Sequence, residues 1–372
     1  MEIKTIQQTP HDMCTGCAAC MNCCPVDAIK MLPDSEGFLC PEIDETKCVH
    51  CGKCAEICPV LKEHEDTGKE PECYAAWSKD EDIRFNSTSG GVFTHLASTV
   101  IKQGGTVVGA RYREDHLVEH ALIRKSEDIE QLRQSKYVQS EIGFVYREIK
   151  QELKYGKPLL FAGTPCQCAG LKAYLGKDYE NLFLCDFICR GVNSPLVYLS
   201  YLRELEERYG SKVKRVWFRN KAFSWHNSVN KISFENGKEY IADCDSDPFM
   251  LGFIKPKTNI YIRKSCDKCC FRKKSRNVDI TLGDFWGVRH KIPYIGTQNG
   301  ISAVMLHSKK GKELFHSCMS EIECILTNFN DVVSNNGCIL DDPIISSKRD
   351  KFFNEICCKD FSTLIHEIVF LK

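Results

Sequence analysis

The spacing C-x2-C-x2-C-x3-C-P occurs twice near the amino terminus. The first copy is Cys14, Cys17, Cys20, Cys24 and Pro25, and the second is Cys48, Cys51, Cys54, Cys58 and Pro59. Three thiolates two residues apart can wrap a short loop around three corners of a cubane cluster, which asks for soft sulfur ligands and little regular structure. C-x2-C pairs also build zinc ribbons. Two complete copies, each closed by Cys-Pro, specify iron–sulfur instead. Composition agrees with this reading, because the chain carries 24 Cys among 372 residues. The opening Met1-Glu2-Ile3-Lys4-Thr5-Ile6-Gln7-Gln8 lacks the apolar stretch of a signal peptide. The expected location is therefore the cytoplasm, where thiols serve as ligands or redox groups rather than as disulfides.

Over about residues 10–60 the chain resembles bacterial two-cluster ferredoxins. That resemblance implies crossed ligation, in which the fourth cysteine of each run binds the other run's cluster. Cys14, Cys17, Cys20 and Cys58 would then hold one 4Fe-4S cluster, and Cys48, Cys51, Cys54 and Cys24 the other. Cys23 and Cys40 fall outside the repeat and read as small packing residues. The expected organisation is an α+β ferredoxin-like dicluster domain at 1–62, a polar linker at 63–72 containing Gly68 and Pro71, and an α/β domain at 73–372.

Beyond Cys73, short apolar runs at 106–110, 158–162, 181–185 and 278–282 read as strands, and stretches near 91–103, 143–154 and 195–209 as helices. Ser194 caps the last helix, Pro195 suits its first turn, and Gly210 ends it. The 50 Lys+Arg balance 50 Asp+Glu, which removes the basic footprint of a nucleic-acid binder, and no apolar run reaches membrane-spanning length.

Two turns of this body carry chemistry. Ser87-Thr88-Ser89-Gly90-Gly91 precedes a helix, where free backbone N–H groups suit a phosphate; a plain helix cap has the same composition. Gly163-Thr164-Pro165-Cys166-Gln167 follows a strand and opens another helix, at the sheet edge where α/β folds bind ligands. A cytosolic Cys266-x2-Cys269 pair asks for two more soft ligands from Cys166, Cys168, Cys185, Cys189 and Cys270, with zinc as the alternative metal. Cys168 and Cys185 fall inside elements and read as core. Cys73, Cys244, Cys318, Cys324, Cys338, Cys357 and Cys358 have no partner spacing and read as packing residues. Cations at Arg263, Lys264, Lys268, Arg272, Lys273, Lys274 and Arg276 could stabilise a cluster or dock an acidic partner.

Ser89-Gly90-Gly91, Ser135-Lys136-Tyr137, Gly163-Thr164-Pro165-Cys166-Gln167, Cys189-x-Gly191 before Ser194-Pro195, Cys266-x2-Cys269 and Gly283-Asp284-x-Trp286-Gly287 stand in one order. Together they resemble the coenzyme F420 hydrogenase/dehydrogenase beta-subunit family. The resemblance implies an FAD-binding α/β domain with its own 4Fe-4S cluster. Ser89, Gly90, Gly91, Lys136, Thr164 and Gln167 would hold the flavin, and Cys166, Cys189, Cys266 and Cys269 the metal. The family's usual Cys-His-Gly is Cys189-Arg190-Gly191 here.

The expected activity is an FAD and iron–sulfur oxidoreductase that passes electrons between reduced coenzyme F420, a deazaflavin, and a ferredoxin-type or organic acceptor. A ferredoxin-dependent reductase of an organic substrate, for example in polysaccharide precursor metabolism, and a non-catalytic electron-transfer subunit are the alternatives. The implied partners are a redox protein or ferredoxin and a small-molecule substrate, with no nucleic acid and no membrane span. No catalytic acid or base follows from the sequence. His226 and Asp284 are possible proton handlers, and Trp217, Trp225 and Trp286 are possible flavin walls.

Overall fold

The structure, a computed structural model, describes residues 5–64, 66–254, 258–292 and 296–370. Met1–Lys4, the first part of the stretch read for a signal peptide, and Glu65 of the expected linker lie outside them. In each cysteine loop the chain turns through two left-handed residues at matching positions, Gly16 and Ala18 in the first, His50 and Gly52 in the second. These turns curl the loop inward, and each is followed by a short helix, Ala19–Cys23 and Lys53–Glu56. Between the copies, strands β1 (Ile29–Pro33) and β2 (Leu39–Ile43) pair antiparallel.

The body is built on a nine-stranded sheet. Its strands are β3 (Glu72–Ser78), β4 (Thr106–Tyr112), β5 (Val118–Ile123), β6 (Ser140–Glu141), β7 (Leu159–Ala162), β8 (Leu182–Phe187), β12 (Ile280–Asp284), β13 (Ser302–Leu306) and β14 (Ile322–Thr327). They stand in the order β14-β3-β13-β12-β8-β7-β4-β5-β6. The four central strands β12, β8, β7 and β4 run parallel, so their carboxyl ends share one edge. Antiparallel strands flank them. The expected strands and helices are present, but the alternating α/β reading is too simple: the sheet is mixed.

Side chains alternate between the two faces as the pleat requires. Val107 and Leu160 pack with Leu96 and Val100 on one face. Val108, Leu159 and Phe161 pack on the other with Tyr146 and Leu171, and with Cys17, Met21, Ile29 and Ile43 of the amino-terminal segment. The cysteine-rich segment therefore shares its core with one face of the sheet. A second, aromatic core lies outside the sheet, where β9 (Val213–Asn220), β10 (Val229–Phe234) and β11 (Glu239–Asp243) form an antiparallel meander. The helix Pro195–Tyr209, capped by Ser194 and ended at Gly210, packs against it.

The stretch read as a linker is pinned. Asp66 accepts hydrogen bonds from the Lys274 and Ser275 amides at 3.0 and 3.2 Å and from the Ser275 hydroxyl at 2.7 Å. Lys274 also pairs with Glu70. Asp27 and the backbone of Met21, Asn22 and Cys24 are held by Arg147 from the body.

The helix Pro165–Leu175 packs tightly on the amino-terminal segment at Gly170. A Cβ there would stand 2.9 Å from Cys17 Cβ and 3.0 Å from its sulfur. Gly to Ala inside a helix ordinarily gains about 1 kcal/mol, but overpacking of this kind costs about 1–3 kcal/mol. Gly170→Ala is therefore expected to lower stability in chemical denaturation and to loosen the loop that carries Cys17; a stabilised variant would contradict the contact.

Candidate functional site

The amino-terminal cysteines line two cavities. Cys14, Cys17, Cys20 and Cys58 line one of about 380 Å³, together with Cys40, Met31 and Pro41. Cys24, Cys48, Cys51 and Cys54 line a second recess with Val26, Ile43 and Val49. Each cavity thus draws three sulfurs from one copy of the repeat and one from the other. Burial pushes the Cys17 thiol up to about 12 and raises Cys58 and Cys54 as well. These sites favour ligation by a cation over free thiolate. The Thr15 and Thr9 hydroxyls lie against Cys17 and Cys58, and among the described residues neither has an oxygen or nitrogen partner. Buried donors facing sulfur fit iron–sulfur ligation, where such bonds raise the reduction potential.

Cys40 is more than packing. Its sulfur receives a hydrogen bond from Arg263 Nη2 at 3.0 Å and lies 3.7 Å from Asp34 Oδ2. Contact with Cys40 holds the Cys14 thiol below its ordinary range, and the Arg263 charge assists. Cys23 lies near Cys24, Cys51 and Cys54. Cys357 and Cys358 are exposed rather than packed, while Cys73, Cys168, Cys185 and Cys318 are buried.

The body quartet forms at the carboxyl edge of the sheet. Cys166 opens the helix after β7, Cys189 follows β8, and Cys266 and Cys269 arrive from the segment preceding β12. Burial, and then the charges of Cys269, Cys189 and Cys266, push the Cys166 thiol well up. Cys189 is raised to about 12 by burial and by Cys266. The four sulfurs therefore sense one another across sequence separations of up to about a hundred residues.

Arg272 joins their loops. Its Nη1 donates to Cys266 O at 2.6 Å and to Asp342 at 2.8 Å, and its Nη2 donates to Arg190 O at 2.9 Å. The buried Nε has no partner among the described residues, which leaves one donor for a group held by the quartet. Most of the expected basic patch is internally paired: Lys264 meets Asp12, Arg276 meets Asp186, and Lys274 meets Glu70.

Of the flavin candidates, Thr164 and Gln167 make a full capping box, and Gln167 Nε2 also reaches Ser140 O at 3.3 Å. Ser89 Oγ donates to Ile301 O at 2.7 Å and the Gly90 amide to Ser302 Oγ at 3.0 Å. A Cβ on Gly90 would lie 2.4 Å from Ala76 O, so close packing on β3 and β13 accounts for that glycine. Gly91, at φ +88°, starts the helix Val92–Lys102 without a side-chain cap, which leaves its first amides open to an anion.

Lys136 differs from the others. Among the described residues its buried ammonium meets only the Arg133 and Gln134 carbonyls, at 2.7 and 3.2 Å, and burial lowers its pKa to about 7. Three donors with two acceptors and no carboxylate fit an anionic ligand. It lies 5.6 Å over the Tyr112 ring at the carboxyl end of β4.

Sequence reasoning missed Arg219 and Lys221. Lys221 Nζ donates to Arg84 O, Ser89 O and Asn299 O, each at 2.6 Å, and so fixes the Ser89 turn. Arg219, at φ +61°, pairs with Asp284 at 3.1 Å and lies 4.8 Å over Trp286. Trp286 is stacked with Trp225 at 4.7 Å and 4°. Asp284 also accepts from Trp225 Nε1 at 3.2 Å, and His226 meets the Thr297 hydroxyl at 3.2 Å. Trp217 lies away from this stack, edge-on to Phe85 at 6.0 Å. Nothing in residue spacing announces these contacts, because the partners are remote in sequence.

Comparison with known proteins supplies the context for this geometry. Two family models, coenzyme F420 hydrogenase/dehydrogenase beta subunit N-terminus and C-terminus, match residues 73–145 and 156–332. A 4Fe-4S dicluster domain matches 13–61. An uncharacterized protein of Methanocaldococcus jannaschii is 23% identical over 336 residues, covering 81% of this chain and 85% of its own length. An uncharacterized polyferredoxin-like protein of the same organism is 33% identical over 67 residues, which is 16% of this chain and 40% of that protein. A solved structure of the F420-reducing nickel–iron hydrogenase complex from Methanosarcina barkeri aligns with TM-score 0.48 at 17% identity, over 74% of this chain and 93% of its own. No helix among the described residues is long and apolar enough to cross a membrane.

Replacing Arg272 by Met removes the link between the Cys189 and Cys266 loops. On the expectation that the quartet binds a 4Fe-4S cluster, iron should fall by about four per chain, while the amino-terminal cavities keep theirs. Iron analysis after anaerobic purification checks this, and undiminished iron would contradict it.

Proposed function

The chain belongs to the coenzyme F420 hydrogenase/dehydrogenase beta-subunit family, and on that premise we propose that it is an FAD and iron–sulfur oxidoreductase exchanging electrons between reduced coenzyme F420 and a ferredoxin-type or organic acceptor. Family and dicluster domain make it an iron–sulfur oxidoreductase; the flavin, the deazaflavin and the acceptor are the finer reading. The observation that carries it is the gathering of Cys166, Cys189, Cys266 and Cys269 at the same sheet edge that ends near Lys136 and Asp284.

In this reading the twelve cysteines bind three 4Fe-4S clusters, as Cys14, Cys17, Cys20 and Cys58, then Cys48, Cys51, Cys54 and Cys24, then Cys166, Cys189, Cys266 and Cys269. Lys136 and the open amides after Gly91 bind the flavin's anionic part, while Ser89, Gly90, Thr164 and Gln167 shape the turns that present them. A bound flavin accepts a hydride as an electron pair and releases electrons singly. Arg219 pairs with Asp284 beside the Trp225–Trp286 stack. A redox protein meets the amino-terminal domain, where Cys51 is exposed.

Anaerobically purified protein is expected to contain bound flavin whose visible band bleaches on adding reduced coenzyme F420. Bleaching by reduced ferredoxin alone would favour the ferredoxin-dependent reductase, and protein that takes up no flavin would overturn the flavin reading.

The pH dependence follows from Lys136. Its free-protein pKa is about 7, and an anionic ligand binds the charged form and raises that value. Affinity for FAD should be flat below about pH 6 and fall above 7, approaching about tenfold per pH unit until the higher pKa of the complex is passed. Fluorescence titration from pH 6 to 9 tests this, with Lys136→Met expected to bind more weakly and without the slope. A wild-type affinity independent of pH would contradict the role.

A further inference from the structure

Three contacts tie the first cysteine cavity to the body quartet, each through a different ligand. Gly170 lies against Cys17, one turn of the same helix from Cys166. Cys270, next to Cys269, lies near enough to Cys58 to sense its charge. Arg263 makes the third contact, donating from Nε to Cys14 O at 2.6 Å, from Nη1 to Leu39 O at 3.1 Å and from Nη2 to Cys40 Sγ at 3.0 Å. Its own carbonyl accepts from the Cys266 amide at 2.9 Å, and its amide donates to Val192 O at 2.9 Å, three residues beyond Cys189. Among the described residues the second cavity has no comparable tie to the quartet, and Cys51 is exposed, as are the neighbouring Val26 and Val49.

The chemistry of Arg263 is unusual for a buried cation. It is 4% exposed, and among the described residues it pairs with no carboxylate. The negative groups it senses are sulfurs: Cys14, Cys40 and Cys266. A permanent positive charge between two sets of cysteines favours the more negative, reduced state at both. Arginine suits the position, because its planar fork serves three acceptors at once and stays charged when buried.

We propose that Arg263 is the positioning residue of the junction between the two redox halves. It fixes the Cys14 loop against the Cys266 turn and lends its charge to both cysteine sets, so that the first cavity faces the body and the second faces the outside. This rests on the reading of Cys166, Cys189, Cys266 and Cys269 as a 4Fe-4S site. Clusters bound by these cysteines supply one-electron chemistry; Arg263 sets where they lie and how readily they are reduced.

The test uses anaerobic full-length protein, with iron analysis and EPR-monitored redox titration of wild type, Arg263→Gln and Arg263→Lys. Arg263→Gln is expected to keep about twelve irons and the second cavity's potential. The first cavity and the body centre should each become tenfold harder to reduce, about 59 mV for one electron. Arg263→Lys, which keeps the charge, should recover most of that shift. Unchanged potentials in Arg263→Gln, or a shift confined to the second cavity, would overturn the proposal. Should Arg263→Gln lose iron, spin coupling to the body centre decides. Coupling that persists in Cys51→Ser and disappears in Cys20→Ser supports the junction, and the reverse pattern overturns it. About eight irons in the wild type, with both amino-terminal centres intact, would instead remove the quartet reading and the proposal with it.

Discussion

The proposed soft-metal ligation requires sulfur atoms from remote segments to be held at fixed mutual positions, and much of this molecule's architecture meets that requirement. In the amino-terminal segment the positions are local, set by paired left-handed residues at Gly16 and Ala18 and at His50 and Gly52. In the body they are not. Parallel strands β7 and β8 deliver Cys166 and Cys189 to one edge, and the turn carrying Cys266 is locked onto that edge by the Arg263 amide and the Arg272 guanidinium. Rigid strands do there what a short loop does at the front.

Gathering thiols also concentrates negative charge, and the fold answers with buried arginines rather than exposed lysines. Arg263 and Arg272 spend their donors on carbonyls and sulfur around the cysteines. Lys136 and Lys221 are likewise buried, and burial lowers both to about 7. Lys221 has all three donors satisfied by carbonyls that define the Ser89 turn; Lys136 has two acceptors for its three donors among the described residues. That difference separates a structural lysine from one able to meet a ligand.

The sequence was most legible where chemistry is periodic. The duplicated cysteine spacing, the Ser194–Pro195 start and the Gly210 stop of a helix, and the central strands all follow from local pattern. The antiparallel flanks of the sheet and the aromatic core around Tyr198, Tyr201, Phe218 and Phe249 do not, because strand partners and packing faces are chosen by distant segments. Arg263 stood out in sequence only as one cation of a run. Its contact with Cys14 spans 249 residues, and nothing in local spacing encodes that. The same limit misread Cys40 as packing and hid the tie of Asp66 within the stretch 63–72, since both are held by residues more than two hundred positions away.

The central claim is that twelve cysteines form three iron-bearing sites, with the body's site adjoining the first amino-terminal one. Anomalous diffraction at the iron edge from anaerobically grown crystals tests it most directly. Three iron peaks are expected, one inside each cysteine set, with the peak among Cys166, Cys189, Cys266 and Cys269 nearer to the Cys14 set than to the Cys48 set. A zinc signal at the body quartet, or no metal there at all, would contradict the account.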